Sequence, residues 1–494
     1  MVQSKREDWE RFGRASKASS PWIQELYSWR ESPQSFDVAS YYGQIFIHRA
    51  HTVMLAEENI ITHDEASKII TGIKKVEQIA MNDPKLVGYM STETALIKEI
   101  GEIGGKMHIG RSRNDLGHSQ RRIYYRDQVN RLIGSVIDFR KRLTDTASNH
   151  LDAVMPGYTH WRQAQPITLA HYIMAHVEAA GRTVERLEGI YDRANLSPMG
   201  AAAFAGTGWP VNRYRTMELL GFDGLVENTH DAVAAIDYFM ELSAALGIHM
   251  SNLSRLAEDI QIWSSDEFKL IELDEAYAGT SSIMPQKKNP LILEQVKSYS
   301  AEALGAMVST MTSMKGVSYT NIVDRTMLEP VIIDTAVGST NVMAGLVQTI
   351  VPLRENMMKR LSEGFSTMTD LADTLVRLYN LSFRQAHDII VNVTVEALKE
   401  GVKAEEITSE MIELASEMVI GKPLQVPEKD LQQALNPVLN VNRRNGVGGP
   451  APEAVKAMID TQKTRIAEEE RRQMLRLGKL KQAKNKLLEA EKRL

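Results

Sequence analysis

QRRIYYRDQVNRLIGSVIDFRKRLTDTASN, residues 120–149, decides the fold. Its apolar positions Ile123, Val129, Leu132, Ile133, Val136, Ile137 and Leu143 recur at steps of three and four, and no proline interrupts them, so the stretch predicts one long amphipathic helix. The spacing returns on both sides. A break at Met155-Pro156-Gly157 precedes a second helix predicted over 169–195. A third is predicted over 232–263, where Leu242, Leu246, Met250, Leu253, Leu256, Ile260 and Trp263 keep the step; two more are predicted over 295–314 and 329–360. Five long helices carry more apolar stripe than one chain buries, so a bundle that associates with copies of itself is the physical expectation.

The flanks are shorter and more broken. Residues 36–75 read as helical, with Thr62-His63-Asp64 as a helix start, and a helix over 92–100 is ended by Gly101, Gly104 and Gly105. Past Gly364, short helices are predicted over 369–379, 382–399 and 409–419, and 442–455 (NRRNGVGGPAPEAV) marks a turn. The Glu-, Lys- and Arg-rich tail over 464–494 reads as a solvated helix lying on a neighbouring subunit. An all-α chain is expected. Its divisions are a helical N-terminal domain (1–114), a central long-helix bundle (115–364), a small helical C-terminal domain (365–450) and a charged helical extension (451–494).

At 494 residues the chain exceeds one ordinary core. The formal net charge is −5 with both signs well mixed, so no global field draws nucleic acid or anionic membrane. An acidic substrate would need a local cluster of cations. There is no cysteine, which excludes disulfides, thiolate metal sites and Cys nucleophiles, and no metal-ligand spacing stands out. The N-terminus, MVQSKREDWERFGR, lacks the apolar core of a signal peptide, and the apolar segment 232–250 is interrupted by Asp237 and Glu241. A cytoplasmic protein without membrane or nucleic-acid partner is expected.

One segment follows neither helix nor strand periodicity: DEAYAGTSSIMPQKKNPLILE, residues 274–294. Gly, Met-Pro and Asn-Pro make it a loop held at both ends by long helices, which suits a mobile cover over a site. Taken alone these are ordinary turn residues with two solvated lysines. Residues 280–290, however, resemble the Gly-Ser-Ser-x-Met-Pro-x-Lys-x-Asn-Pro motif of the fumarase/aspartase superfamily, with Thr280 replacing the leading Gly. GKMHIGRSRND (105–115), GYTHWRQAQPIT (157–168), LSRLAEDIQIWSSDEF (253–268) and GGPAPEAV (448–455) resemble its argininosuccinate lyase branch, in that order and rough spacing.

The resemblance implies a three-domain fold with a long central helical bundle, a homotetramer with sites shared between subunits, and elimination of an amine from an aspartyl skeleton to give fumarate, with no cofactor. It makes Ser281 the base and places His160, paired with Glu294, at the departing nitrogen. Arg113, Asn114, Thr159, Lys287 and Asn289 grip the carboxylates, while Ser282 and Met284 close over the substrate. The chemistry demands such a set. Removing a proton beside a carboxylate adds a second negative charge, which preorganised cations and amides must absorb, and a serine must be activated before it serves as a base.

The departures from the branch cluster where the arginine half of the substrate would bind. Its early Gly-Ser pair aligns with Ile47-His48, a His with Tyr89, and Leu-Gln with Trp161-Arg162. Its internal Asp-Arg is lost from DAVAAIDY (231–238), and its downstream Tyr, Gln and Lys fall at Thr320 or Asn321, Arg325 and Leu328. His48, Tyr89, Arg162 and Arg325 are therefore candidates for amine-side specificity. An acid replaced by an apolar residue beside a new arginine poorly suits a guanidinium. The expected substrate is an N-substituted aspartate whose amine half is not arginine, as in ethylenediamine-disuccinate lyase, where Arg162 or Arg325 would meet an extra carboxylate. The alternatives are an ordinary argininosuccinate lyase and a non-catalytic structural protein of the same fold.

Overall fold

A computed structural model describes residues 12–14, 17–83, 85, 87–322 and 327–494; the side chains of Arg14, Tyr89 and Met90 lie outside that set. In chain order the helices are α1 (Pro21–Glu31), α2 (Phe36–Glu57), α3 (His63–Asn82), α4 (Tyr89–Ile100), α5 (Arg113–Ser148), α6 (Leu169–Ala194), α7 (Arg213–Leu220), α8 (Thr229–Ala234) and α9 (Asp237–Trp263). They continue as α10 (Leu291–Met314), α11 (Pro330–Gln348), α12 (Arg354–Glu363), α13 (Met368–Tyr379), α14 (Phe383–Glu400), α15 (Ser409–Ile420), α16 (Glu428–Leu435), α17 (Pro437–Arg443) and α18 (Pro452–Glu491). The described strands form two-stranded pairs only. The fold is the all-α, multi-domain arrangement the sequence predicts.

Helices α5, α6, α9, α10 and α11 share one core. On α5, Val129, Leu132, Ile133, Val136, Ile137 and Leu143 are all buried, as their spacing requires. The helix starts where Ser112 accepts the Asn114 N–H at 3.2 Å and Asp115 accepts the Ser112 N–H at 2.9 Å. Its 36 residues make a rod of about 54 Å at 1.5 Å per residue. Pro330 begins α11 at a position that has no helical partner for an N–H. Among the described residues this helix is the one long and apolar enough to cross a membrane, and most of it is buried in the bundle.

Two predicted helices are broken, and a hairpin stands where the sequence predicts only a break. Residues 232–263 are not one helix: α8 ends at Ala234, Ala235 is extended (φ −68°, ψ 129°), and Asp237 restarts the chain as α9. Residues 329–360 break between α11 and α12, where Val351 and Pro352 pair with Glu272 and Ile271; Pro352 has no N–H to continue a helix. Between α5 and α6 the chain forms an antiparallel hairpin, Val154–Thr159 against Arg162–Thr168. Pro156 faces Pro166 across it and the register slips between Pro156 and Tyr158, which erases the alternation a strand pair would show.

Satellite clusters flank the bundle. One, with Ile45, Met54, Leu55, Ile69, Ile73 and Leu96, joins α2, α3 and α4; another, with Leu371, Leu375, Ile389, Val393 and Leu431, joins α13 to α16. The charged extension corrects its sequence reading. Helix α18 lies along this chain's own α5, α6, α7 and α2. Its Glu469 pairs with buried Arg140, Leu487 and Ala490 enter a cluster with Phe46, Ile47 and Leu116, and Glu491 binds Arg49 at 2.6 Å and Lys74 at 2.8 Å.

Buried imidazoles tie this packing to pH. His249 on α9 donates from Nε2 to Thr340 Oγ1 at 2.8 Å, and burial lowers its pKa to about 4. A histidine depressed in the fold binds its proton only on unfolding, so its contribution is present above the unfolded value of about 6.5 and lost as pH falls towards the folded one. Between pH 7 and 5 the loss amounts to about 2 kcal/mol for His249. The expected result is that a His249→Gln chain loses about that much less stability than the parent over this interval. Urea unfolding at the two pH values checks it, and parallel losses would refute it.

Candidate active site

The predicted site residues occupy three places. At the first turn of α5, Asn114 donates from Nδ2 to the Ala203 carbonyl at 2.9 Å and accepts at Oδ1 from Asn321 Nδ2 at 2.6 Å. Both contacts fix its amide orientation. Arg113 beside it is exposed. His118, one turn along and buried, has Nε2 3.3 Å from Asn321 Oδ1.

Asp115 holds this corner together. One carboxylate oxygen accepts the N–H groups of Ser112 and Leu116 at 2.9 Å; the other accepts those of Gly200 at 3.1 Å and Ala202 at 2.9 Å. Burial nonetheless pushes its pKa up to about 6, against the pull of these donors and of Arg111. Neither Asp115 nor Asn321 was singled out as a site residue from the sequence. Ser112-x-x-Asp115 is a helix-start signature that marks the first; the second is one of two alternatives at its aligned position.

The second place is the tip of the hairpin. Thr159, His160, Trp161 and Arg162 are exposed, and the two central residues have φ of 51° and 61°. A two-residue hairpin turn needs both in the left-handed region, where side-chain-bearing residues are strained by roughly 1–2 kcal/mol each. The turn thus holds His160 out from the sheet. Beneath it is a cavity of about 520 Å³ lined by His160, Trp161, His171, Tyr172, Asp259 and Trp263. Arg162 lines a second cavity, of about 370 Å³, with Glu267 and Arg360.

The third place is the loop between α9 and α10. Gly279 and Thr280 pair with Asn289 and Lys288, closing 281–287 into a finger. Gly279 fits this closure because a Cβ there would sit 3.2 Å from the Leu291 side chain. Ser281 Oγ accepts the N–H groups of Met284 at 3.0 Å and Ile283 at 3.4 Å, so a negative oxygen at this position faces two donors. Ser282, Met284 and Lys287 are exposed and Asn289 is half-buried. Ile283 is 85% exposed. Lys288 binds Glu272 at 2.5 Å, and Glu294 is exposed on the first turn of α10.

The hairpin and the finger share one end of the bundle. Tyr172 at the start of α6 meets Trp263 at the end of α9 (4.5 Å between ring centres), and Lys297 near the start of α10 binds Glu258 at 2.5 Å. Arg113 and Asn114 lie at the far end of α5, about 54 Å away. One chain therefore does not assemble the whole set. Of the amine-side candidates, His48 is fully buried on α2; burial and the Arg111 guanidinium hold it well below the usual histidine range, so it stays neutral. The side chain of Tyr89, and Arg325 as a whole, lie outside the described residues.

Comparisons with known proteins converge. Residues 30–305 match the lyase family and residues 365–442 the argininosuccinate lyase C-terminal family. An argininosuccinate lyase of Methanosarcina acetivorans is 42% identical over 434 residues, covering 86% of this chain and 87% of that one. One from Methanococcus maripaludis is 36% identical over 463 residues, covering 92% and 95%. The crystal structure of EDDS lyase in complex with formate superposes with a TM-score of 0.96 at 42% identity, covering 98% of both chains. A fumarate lyase from Mesorhizobium sp. BNC1, at 19% identity and a TM-score of 0.68, shares the fold.

Proposed function

Because the chain belongs to the argininosuccinate lyase family of fumarate-releasing carbon–nitrogen lyases, we propose that it eliminates an amine from an N-substituted aspartate whose amine half is not arginine, an aminocarboxylate such as ethylenediamine-disuccinate. The observation that carries this reading is the likeness to EDDS lyase over 98% of both chains. The departures from the branch at Trp161-Arg162, within 231–238 and at Thr320 or Asn321 support it. A second reading, cleavage of argininosuccinate to arginine and fumarate, is favoured by equal identity to the Methanosarcina acetivorans enzyme.

In the proposed mechanism Ser281 Oγ, its negative form favoured by the Ile283 and Met284 N–H groups, takes the proton from the carbon next to the substrate's carboxylate. The electron pair moves onto that carboxylate, giving a doubly charged intermediate. Lys287, Asn289, Asn114, Thr159 and Arg113 absorb the charge. The pair then returns to form the fumarate double bond as the carbon–nitrogen bond breaks, and His160, steadied by Glu294, supplies a proton to the departing amine. The length of α5 argues that the three places meet between subunits of a homotetramer. Leu304, Val308 and Met311 support this as an exposed apolar row on α10, with Ile248 of α9 beside them.

The deciding experiment is fumarate release, followed by absorbance, from argininosuccinate, ethylenediamine-disuccinate and simple N-alkylaspartates. A kcat/KM at least 10-fold higher for ethylenediamine-disuccinate than for argininosuccinate is the expected outcome; the reverse order establishes the second reading. The pH profile carries a further prediction. A proton on Asp115 turns one acceptor towards its backbone donors into a donor, loosening the Asn114 corner. The rate is expected to fall on an acid limb near pH 6, and Asp115→Asn, which imitates the protonated group, lowers the plateau and removes that limb. An unaltered limb in this variant would dissociate Asp115 from it.

A further inference from the structure

The finger that carries Ser281 has a root, residues 274–280, and a segment from the start of the sequence lies against it. Phe12 bridges Gly279 as an antiparallel partner, on the edge opposite the one that Asn289 occupies. The Gly13 N–H donates to the Ala278 carbonyl at 3.3 Å, and the Ser20 N–H to that of Ala276 at 3.2 Å. Lys17 Nζ lies 2.5 Å from Asp274 Oδ2, while Asp274 Oδ1 accepts the Ala276 N–H at 2.8 Å. Ser20 Oγ donates to Tyr277 Oη at 3.1 Å. Residues 12–14 and 17–20 thus form an arm that holds the root at 274, 276, 277, 278 and 279.

This arm is itself anchored and shaped. The Phe12 ring is buried in the bundle core and meets Tyr27 of α1 at 5.7 Å between ring centres. Gly13 and Arg14 pair with Ala18 and Lys17. Gly13 makes that turn possible: its φ is 82°, and a Cβ there would stand 2.6 Å from the Lys17 carbonyl oxygen. Burial pushes the Asp274 carboxyl up, but Lys17 and the Ala276 N–H outweigh it and hold its pKa below the usual carboxylate value. Beyond the root the finger is open, with 282–287 exposed. A finger exposed along its length takes its aim from its root, so a shift at 278–279 is passed on to Ser281 two residues later.

We propose that the N-terminal arm is the positioning element of the finger, with Gly13, Lys17 and Ser20 acting through Ala278, Asp274 and Tyr277 to set the line along which Ser281 reaches its proton. The proposal deepens the lyase reading above, on which its kinetic part rests. It makes the rate of proton removal, rather than substrate affinity, the quantity the arm governs, because a reacting group displaced by about 1 Å forfeits up to about 100-fold in rate.

Hydrogen exchange and fumarate kinetics on the full-length protein test it together. Gly13→Ala forces the arm off its turn, Lys17→Met removes the ammonium, and Lys17→Arg keeps a cation; Lys17 is exposed, so folding is not at stake there. Gly13→Ala is expected to raise exchange of the 274–290 peptide about 10-fold while α5 and α6 exchange as in the parent. It is also expected to lower kcat about 10-fold with KM within about twofold of the parent. Lys17→Met is expected to act in the same direction by about threefold, and Lys17→Arg to restore the parent values. Unchanged exchange of 274–290 in both Gly13→Ala and Lys17→Met overturns the brace. Faster exchange with kcat intact overturns the positioning role. Absence of fumarate from every substrate overturns the lyase reading and the kinetic part with it, while exchange still decides whether the arm braces the finger.

Discussion

Ser281→Ala lowers fumarate formation by about 1,000-fold, within the range a positioned general base contributes, while the assembly stays folded and KM changes little. The side chain is half-buried in a finger whose shape is set by the pairing of 279–280 with 288–289, so removing one oxygen leaves the closure intact. Stopped-flow absorbance measures it, and a variant with more than a tenth of the parent's turnover would remove Ser281 from the role of base. Mixing gives a sharper outcome. If hairpin and finger of different subunits make one site, unfolding and refolding Ser281→Ala together with His160→Ala restores a substantial fraction of activity, because some sites receive both intact groups. Two inactive variants that stay inactive after co-refolding would place both residues in a site built by one chain.

Glu469→Leu destabilises the chain by about 3–5 kcal/mol, the usual penalty for stranding one member of a buried ion pair. Arg140 is 1% exposed and its guanidinium lies between Glu469 and Gln462, with Gly181 opposite; a Cβ there would come within 3.0 Å of Nη2. Burial pushes the Glu469 carboxyl up even with the guanidinium against it, so both charges are substantially out of water. The double variant Arg140→Met, Glu469→Leu is expected to recover most of the loss, since an apolar pair of similar volume avoids both desolvation penalties. Urea midpoints at one fixed protein concentration test this cycle. Equal losses in the single and double variants would mean that shape, not charge, holds the two helices together.

These two sites show what the sequence makes readable. Ser281 sits in a run whose Gly, Pro and hydroxyl residues fit no periodic element, and the run's likeness to a superfamily motif reaches Lys287 and Asn289 as well. The helices of the bundle are readable because burial on one face imposes a three-to-four step, as along α5. The hairpin at 154–168 escapes that logic: Pro156 and Pro166 face each other and its tip uses His160 and Trp161 where Asn-Gly would have announced a turn. Arg140 and Glu469 are 329 residues apart, and nothing local to either signals the other. Asn321 matters through what it touches across the bundle, which composition does not record.

The closing helix has a bearing on how the protein is made. During synthesis α5 and α6 leave the ribosome more than 250 residues before Glu469, so the Arg140 guanidinium waits beside Gly181 with no carboxylate opposite it. Leu487 and Ala490, which finish the cluster around Phe46 and Leu116, emerge later still. A nascent chain halted near residue 460 would therefore present an unzipped seam from the N-terminal helices to the middle of the bundle, a ready target for holding chaperones.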